Sequence, residues 1–232
     1  MHNVHVIHPL PCITPHNYIQ HNPSNVPYVM YTNMGLTYCF FHLHRLRQLR
    51  QIVCRDVIMR LVCTYILVRL DYCNCVLAEL PAKTLKPLER VMNAAPRLVM
   101  DLRPRDHITK AMRTLQWLPL VFRIKYKLCV MMHSVVNGRC PAYIGEIVQP
   151  IADIPGRTRL RSATTNQYDV PRTRTEFGKR AFSIVAPRQW NELPLELRQC
   201  DGMAALKRKL KTHYLNVAYD IPFDFIALLD IV

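Results

Sequence analysis

The residues of this sequence that could do chemistry are mainly cationic. Residues 155–180 hold seven basic side chains and two acids, Asp169 and Glu176, so this segment carries a net charge of +5. A second basic group lies near residue 210. Arg and Lys contact phosphates whatever the base sequence, and the pattern therefore predicts a nucleic-acid-binding surface, with a merely solvated surface as the alternative. The predicted contact residues are Arg157, Arg159, Arg161, Arg172, Arg174, Lys179, Arg180, Lys207, Arg208, Lys209 and Lys211.

The acidic residues do not suggest a catalytic centre. Metal-dependent nucleotidyl transfer needs carboxylates clustered around two divalent ions about 4 Å apart. The aspartates here occur singly along the chain, and Pro222 separates Asp220 from Asp224. The sequence contains no glycine-rich phosphate loop, no H-E-x-x-H and no G-x-S-x-G. We therefore expect no enzyme activity, no cofactor and no small-molecule substrate.

The cysteines and histidines have no metal-site spacing. Cys73 and Cys75 are separated by one residue, which is shorter than the spacer of a zinc knuckle. His42, His44 and the histidines near the N-terminus could hold a transition metal adventitiously. Small core cysteines and tail histidines are the simpler interpretation, and no metal is expected.

Charge and hydropathy restrict the class of protein. In 232 residues, 31 Lys and Arg face 16 Asp and Glu, a net charge of +15, while half of the residues are hydrophobic. The hydrophobic content allows a core, and the charge favours a polyanionic partner, either nucleic acid or an anionic membrane surface. Basic residues interrupt the longest apolar stretches, 57–68 and 120–136, so no membrane span is predicted. Nine irregularly spaced cysteines and the lack of a basic n-region predict an intracellular protein, nuclear or cytoplasmic and not secreted.

The distribution of charge suggests four segments. Residues 1–44 contain no Lys, Arg, Asp or Glu, and we expect 1–38, which is rich in proline and histidine, to be poorly ordered. Residues 39–150 are expected to form a helical region. Residues 151–215 are predicted to be a basic loop with short strands and a final basic helix. The last segment, 216–232, is acidic and apolar.

Apolar periodicity predicts the elements that would position these side chains. Helical spacing occurs over 41–68, 85–98, 107–115, 120–136, 141–149 and 203–215. Pro96 should kink or end the second of these helices. Two short segments, 168–173 and 181–186, are expected to pair as strands. The fold class predicted is mostly α, a helical bundle with a small β-hairpin in the C-terminal third, and Trp117 and Trp190 should be buried in it.

Several stretches of the sequence, from about residue 39 to 215, resemble the C-terminal region of non-LTR retrotransposon reverse transcriptases of the LINE type, jockey-like. Nothing in residues 1–38 matches that family. Relative to its usual pattern, Pro96 replaces Ala and Gln116 replaces His. The stretches that carry the resemblance are Cys39-Phe40-Phe41-His42-Leu43-His44-Arg45-Leu46-Arg47-Gln48-Leu49-Arg50, Arg69-Leu70-Asp71-Tyr72-Cys73-Asn74, residues 88–99, 105–109, Leu115-Gln116-Trp117-Leu118-Pro119, 170–174, 181–194 and Leu210-Lys211-Thr212.

The resemblance implies the region that follows the polymerase palm, which is thumb-like and continues into the C-terminal extension. In that family this region would help to hold template RNA and primer, and the catalytic carboxylates lie upstream. The predicted function is therefore a catalytically inactive fragment that retains at most non-specific RNA or DNA binding. Two alternatives stay open: a protein-interaction module that docks an acidic partner, and a decayed reading frame with no selected function.

Overall fold

The computed structural model describes residues 26–155 and 165–220, with side chains from residue 35 onward. These residues are mostly helical, as the sequence predicted. The α-helices are α1 Val26–Leu49, α2 Arg55–Val62, α3 Val68–Asp71, α4 Ala82–Met100, α5 Ile108–Thr114, α6 Leu120–Val136, α7 Ala142–Gly145, α8 Glu176–Lys179, α9 Phe182–Asn191, α10 Leu195–Arg198 and α11 Met203–Tyr219. A π-helical turn, Cys63–Leu67, joins α2 to α3, and 3-10 turns cover Asn74–Leu77 and Ile151–Asp153.

Helices α1, α2 and α4 pack against one another in the N-terminal part of the fold. Their facing side chains are apolar at three- and four-residue steps, so each helix buries one stripe. The residues buried there include Leu43, Leu46, Ile58, Val62, Ile66, Val91 and Met92. The opposite faces of α1 and α2 therefore lie toward solvent.

The single helical stretch expected over 41–68 is two helices. The chain turns at residues 50–54, where the N–H groups of Ile52 and Val53 both donate to the carbonyl of Leu49 at 2.9 and 3.1 Å. The turn allows both helices to pack against α4. At the other end, α1 begins at Val26 and runs through the boundary expected at residue 38, so the helical region starts before it.

Pro96 does not end its helix, which was one of the two outcomes expected from the sequence. Helix α4 continues to Met100, where Asp101 takes a left-handed conformation with φ 55° and the N–H of Leu102 donates to the carbonyl of Arg97 at 3.0 Å. An interior proline costs about 3 kcal/mol or more in an isolated helix. Burial of one whole face of α4 outweighs this penalty, and Pro96 itself lies on the buried side.

Helix α6 is the centre of the C-terminal part, with α9 and α11 packed on it. It begins after Pro119 and ends at Asn137 and Gly138, as predicted, with Gly138 at a positive φ of 61° that favours glycine. The predicted burial of both tryptophans is confirmed: Trp117 is 7% exposed and Trp190 is 0% exposed. The buried apolar side chains of both parts form one continuous cluster.

The predicted β-hairpin is not formed by the described residues. Residues 182–191 are helix α9, because their apolar side chains pack against α6 as a helical face. Tyr168 makes one isolated antiparallel bridge, with Pro150. Its other edge is occupied by Asn191, whose Oδ1 accepts from the Tyr168 N–H at 3.0 Å and whose Nδ2 donates to the Tyr168 carbonyl at 2.7 Å. A side-chain amide thus takes the place expected for a second strand.

The remaining expectations fall at the ends of the chain or outside the described residues. Helix α11 runs to Tyr219 and so extends into the segment predicted as a tail, while residues 221–232 and 1–25 are outside the described part. Among the helices of the described residues, none combines the length and the apolar character that crossing a membrane requires.

Candidate nucleic-acid interface

The basic residues predicted between 155 and 180 fall into two sets. Arg157, Arg159 and Arg161 lie outside the described residues. Arg172 and Arg174 are exposed in the non-helical segment before α8, and no ion pair is formed by either within the described part of the chain. These two side chains are therefore available to a polyanion.

Helix α8 holds the next two predicted residues close to an acid. Thr175 caps the helix by accepting the Gly178 N–H at 3.0 Å. Lys179 forms an ion pair with Glu176, and Arg180 Nε donates to the Glu176 carbonyl at 3.4 Å. The charge of Lys179 is thus partly neutralised, and its ammonium group beside Glu176 lowers the pKa of that carboxyl.

The predicted residues of α11 do not form one row. Lys207, Arg208 and Lys209 are all exposed, but successive helical residues are rotated by about 100°, so they point in different directions around the helix. The residues that flank them, Leu206 and Leu210, are fully buried and fix α11 against the core. Lys211 stands apart from the other three, because it lines a cavity together with cations from α6.

A second cationic surface, which the charge pattern of the sequence did not indicate, lies on α1, on the π-helical turn Cys63–Leu67 and on α3. We call it the aromatic–arginine surface. Four aromatic or imidazole rings and two guanidinium groups alternate on it, and no acidic residue belongs to it. Its members are Tyr38, Phe41, His42, Arg45, Tyr65 and Arg69.

Ring stacking connects the two helices of this surface. The rings of His42 and Tyr65 are parallel within 5°, with centroids 4.7 Å apart. Tyr38 and Phe41 flank the imidazole with centroids at 4.2 and 5.3 Å. Tyr65 lies on the π-helical turn Cys63–Leu67, a type of helix irregularity that occurs often at functional sites.

Each guanidinium group lies over an aromatic ring. The Arg69 Cζ atom is 4.6 Å from the Tyr38 centroid, and the Arg45 Cζ atom is 5.6 Å from the Phe41 centroid, within cation–π range. Phe41 is 49% exposed and Tyr65 38% exposed, so these rings are open to a ligand. Exposed rings with adjacent cations are the combination that single-stranded nucleic acids bind.

A sequence signal for this surface exists in retrospect. Tyr38 and His42, Phe41 and Arg45, and Tyr65 and Arg69 are each four residues apart, the spacing that places two side chains on one helical face. What the sequence did not reveal is that the two helices bring their rows together, which depends on the turn at residues 50–54.

The described part of the chain contains no group of side chains suited to a metal ion. Within the described residues, no three His, Cys, Asp or Glu side chains are grouped closely enough to hold a metal ion.

Comparisons of the chain with protein-family models, with curated proteins and with solved structures found no match.

Proposed function

We propose that this chain is a non-catalytic nucleic-acid-binding module, derived from the C-terminal region of a non-LTR retrotransposon reverse transcriptase, and that it binds single-stranded RNA or DNA without sequence preference. The aromatic–arginine surface is the contact region. The observation that carries the proposal is the stack of the half-buried His42 ring on the exposed Tyr65 ring, with Arg45 and Arg69 at its sides.

The base and the phosphate of a nucleotide match the two kinds of group on this surface. Every base has a π face, so exposed rings bind successive bases of a single strand with a stacking energy of about 1–3 kcal/mol per base. Each guanidinium group contacts a phosphate and releases its counterion, which makes the affinity depend on salt. A duplex offers phosphates but hides its base faces, and we therefore expect a preference for single strands.

The predicted basic residues of the C-terminal part have a supporting role in this proposal. Arg172, Arg174 and the three exposed cations of α11 supply phosphate contacts only, because they take part in none of the ring contacts formed among the described residues. They raise the affinity for any polyanion equally and do not distinguish single from double strands.

Fluorescence anisotropy with a labelled oligonucleotide tests the proposal. We expect the wild-type protein to bind a single strand more tightly than the same sequence as a duplex. Replacing Arg45 and Arg69 together with Gln should reduce the magnitude of the log–log salt slope on the single strand by about 1.4, since each phosphate that is no longer neutralised lowers it by about 0.7.

The matched control replaces two exposed arginines of other helices, Arg90 of α4 and Arg113 of α5, with Gln. This control removes the same charge and should leave the preference for single strands intact. If both double variants weaken binding by the same factor, net charge alone accounts for the affinity and the proposal fails. If neither the single strand nor the duplex binds, the alternative of a protein-interaction module is favoured.

A further inference from the structure

A cavity in the C-terminal part brings together residues from four distant stretches of the chain. Its volume is about 310 Å³, and it lies between the turn at residues 71–74, the segment before α6, and helices α6 and α11. Three of the stretches that carry the family resemblance supply lining residues. Its polar side chains include Asp71, Asn74, Arg123, Lys127 and Lys211.

The cavity has an excess of positive charge. Arg123 Nη1 lies 2.6 Å from Asp71 Oδ2, and Arg123 Nε donates to the Leu118 carbonyl at 3.0 Å. These two contacts fix the guanidinium group, and the Arg123 side chain is only 14% exposed. Neither contact uses Nη2, so its two N–H groups can still donate to a ligand. Asp71 is the acid of the cavity, and Arg123 already neutralises it.

The two lysines of the cavity have no acidic partner. Neither Lys127 nor Lys211 forms an ion pair within residues 35–155 and 165–220. Partial burial, followed by the charge of Arg123, lowers the pKa of Lys211, which is the direction expected when a cation gains no counter-charge. An anion placed between these lysines and Arg123 would therefore be stabilised by all three.

Asn74 provides an independent indication of a ligand. This side chain lines the cavity and is 1% exposed, yet its Oδ1 has no hydrogen-bond partner among the described residues. Its Nδ2 faces Asp71 Oδ1 at 3.5 Å, so rotating the amide by 180° would place an oxygen against the carboxylate. The orientation is thus fixed, and a buried acceptor is left for an N–H or O–H group.

We propose that this cavity binds a phosphomonoester whose carbon skeleton carries a free hydroxyl group, as in a sugar phosphate or the 5′ end of a phosphorylated RNA strand, whose terminal ribose keeps its 2′-hydroxyl. Lys127, Lys211 and the Nη2 donors of Arg123 hold the phosphate, and Asn74 Oδ1 accepts a hydrogen bond from the hydroxyl. The volume is at the lower end of the range for small-molecule sites, which fits a ligand of this size. This site is separate from the aromatic–arginine surface and does not depend on the function proposed above.

Isothermal titration calorimetry of the full chain tests the assignment with ribose 5-phosphate, inorganic phosphate and ribose as probes. Ribose 5-phosphate should bind about tenfold more tightly than inorganic phosphate, because it also satisfies Asn74, and ribose should not bind measurably. Lys211→Gln should weaken the binding of ribose 5-phosphate by about tenfold. Lys110→Gln, an exposed lysine of α5 outside the cavity, is the matched control and should leave the affinity for ribose 5-phosphate unchanged.

A second variant tests the hydroxyl contact. In Asn74→Leu, whose folding is checked by its thermal midpoint, ribose 5-phosphate should bind only as tightly as inorganic phosphate, and inorganic phosphate should bind as in the wild type. The proposal fails if ribose 5-phosphate does not bind the wild-type chain, or if Lys110→Gln and Lys211→Gln weaken its binding equally.

Oligonucleotides distinguish the two sources of such a ligand. If a 5′-phosphorylated RNA strand binds the wild type more tightly than its 5′-hydroxyl form, and Lys211→Gln abolishes the difference, the cavity recognises an RNA end. If the two strands bind equally while ribose 5-phosphate binds in the cavity, its ligand is a free sugar phosphate.

Discussion

Two groups of aromatic residues in this protein have opposite surroundings. In the C-terminal part, Trp190 is fully buried, and its Nε1 donates to the Asn166 carbonyl at 2.8 Å. On the aromatic–arginine surface, Phe41 and Tyr65 are exposed and contact an imidazole or a guanidinium group. The first group stabilises the fold through burial, whereas the second contributes less to stability because its rings stay partly in solvent. An aromatic residue in this chain therefore serves stability or binding according to what surrounds it.

The largest effect expected is on stability, at Trp190. Trp190→Ala removes a side chain with 0% exposure between α6 and α9 and should lower the free energy of unfolding by about 3–5 kcal/mol. Tyr65→Ala removes the ring stacked on His42 and should lower it by only about 0.5–1.5 kcal/mol. Urea unfolding of both variants measures the difference. An unchanged midpoint for Trp190→Ala would mean that this region is not tightly packed.

The buried region should also be sensitive to alkaline pH. Burial raises the pKa of Cys129 from 9.0 to about 12, and burial also raises the pKa of Tyr214, which contacts the thiol at 3.2 Å. Below pH 9 the Cys129 thiol is protonated in the folded and unfolded chains alike. Above pH 9, the unfolded chain loses this proton while the folded chain keeps it. The free energy of unfolding therefore falls as pH rises from 9 to 12.

Urea unfolding at several pH values measures this dependence. We expect the free energy of unfolding to fall by an amount on the order of a few kcal/mol between pH 9 and pH 12. Cys129→Ala removes the titrating thiol and should make this decrease smaller. Stability that stays constant or increases over this range would contradict the assignment of these groups as buried and neutral.

The third effect is on binding, at the exposed ring of Tyr65. Tyr65→Ala should weaken the binding of single-stranded RNA or DNA by about 1–3 kcal/mol, since one base no longer has a stacking partner. Duplex binding should change little. Tyr143→Ala, which removes an exposed tyrosine of α7, is the control. An equal weakening by the two variants would show that the surface around Tyr65 has no special role in binding.

The smallest effect is expected from the exposed cations of α11. Lys207→Gln combined with Lys209→Gln should reduce the magnitude of the salt slope by at most about 1.4 and leave the preference for single strands unchanged. The control replaces Lys83 and Lys86, two exposed lysines of α4, with Gln. If the α11 variant alone no longer preferred single strands, the stacking interface would extend to that helix.

The sequence by itself determined the helical character of the fold and several of its details. Apolar residues at three- and four-residue steps over Leu120–Val136, followed by Asn137 and Gly138, specify α6 and its end locally. The burial of Trp117 and Trp190 also follows from their apolar surroundings. Such features depend on neighbours within one or two turns, and a single sequence contains that information.

Only the tertiary structure decided the rest. Helix α4 continues through Pro96, and residues 182–191 are helical, because burial against other helices outweighs local preference. Likewise, the stack of His42 on Tyr65 and the cavity that holds Asn74 and Lys211 join residues distant in sequence. Spacing along a chain gives the face of one helix, but the pairing of faces is set by packing free energy summed over the whole core.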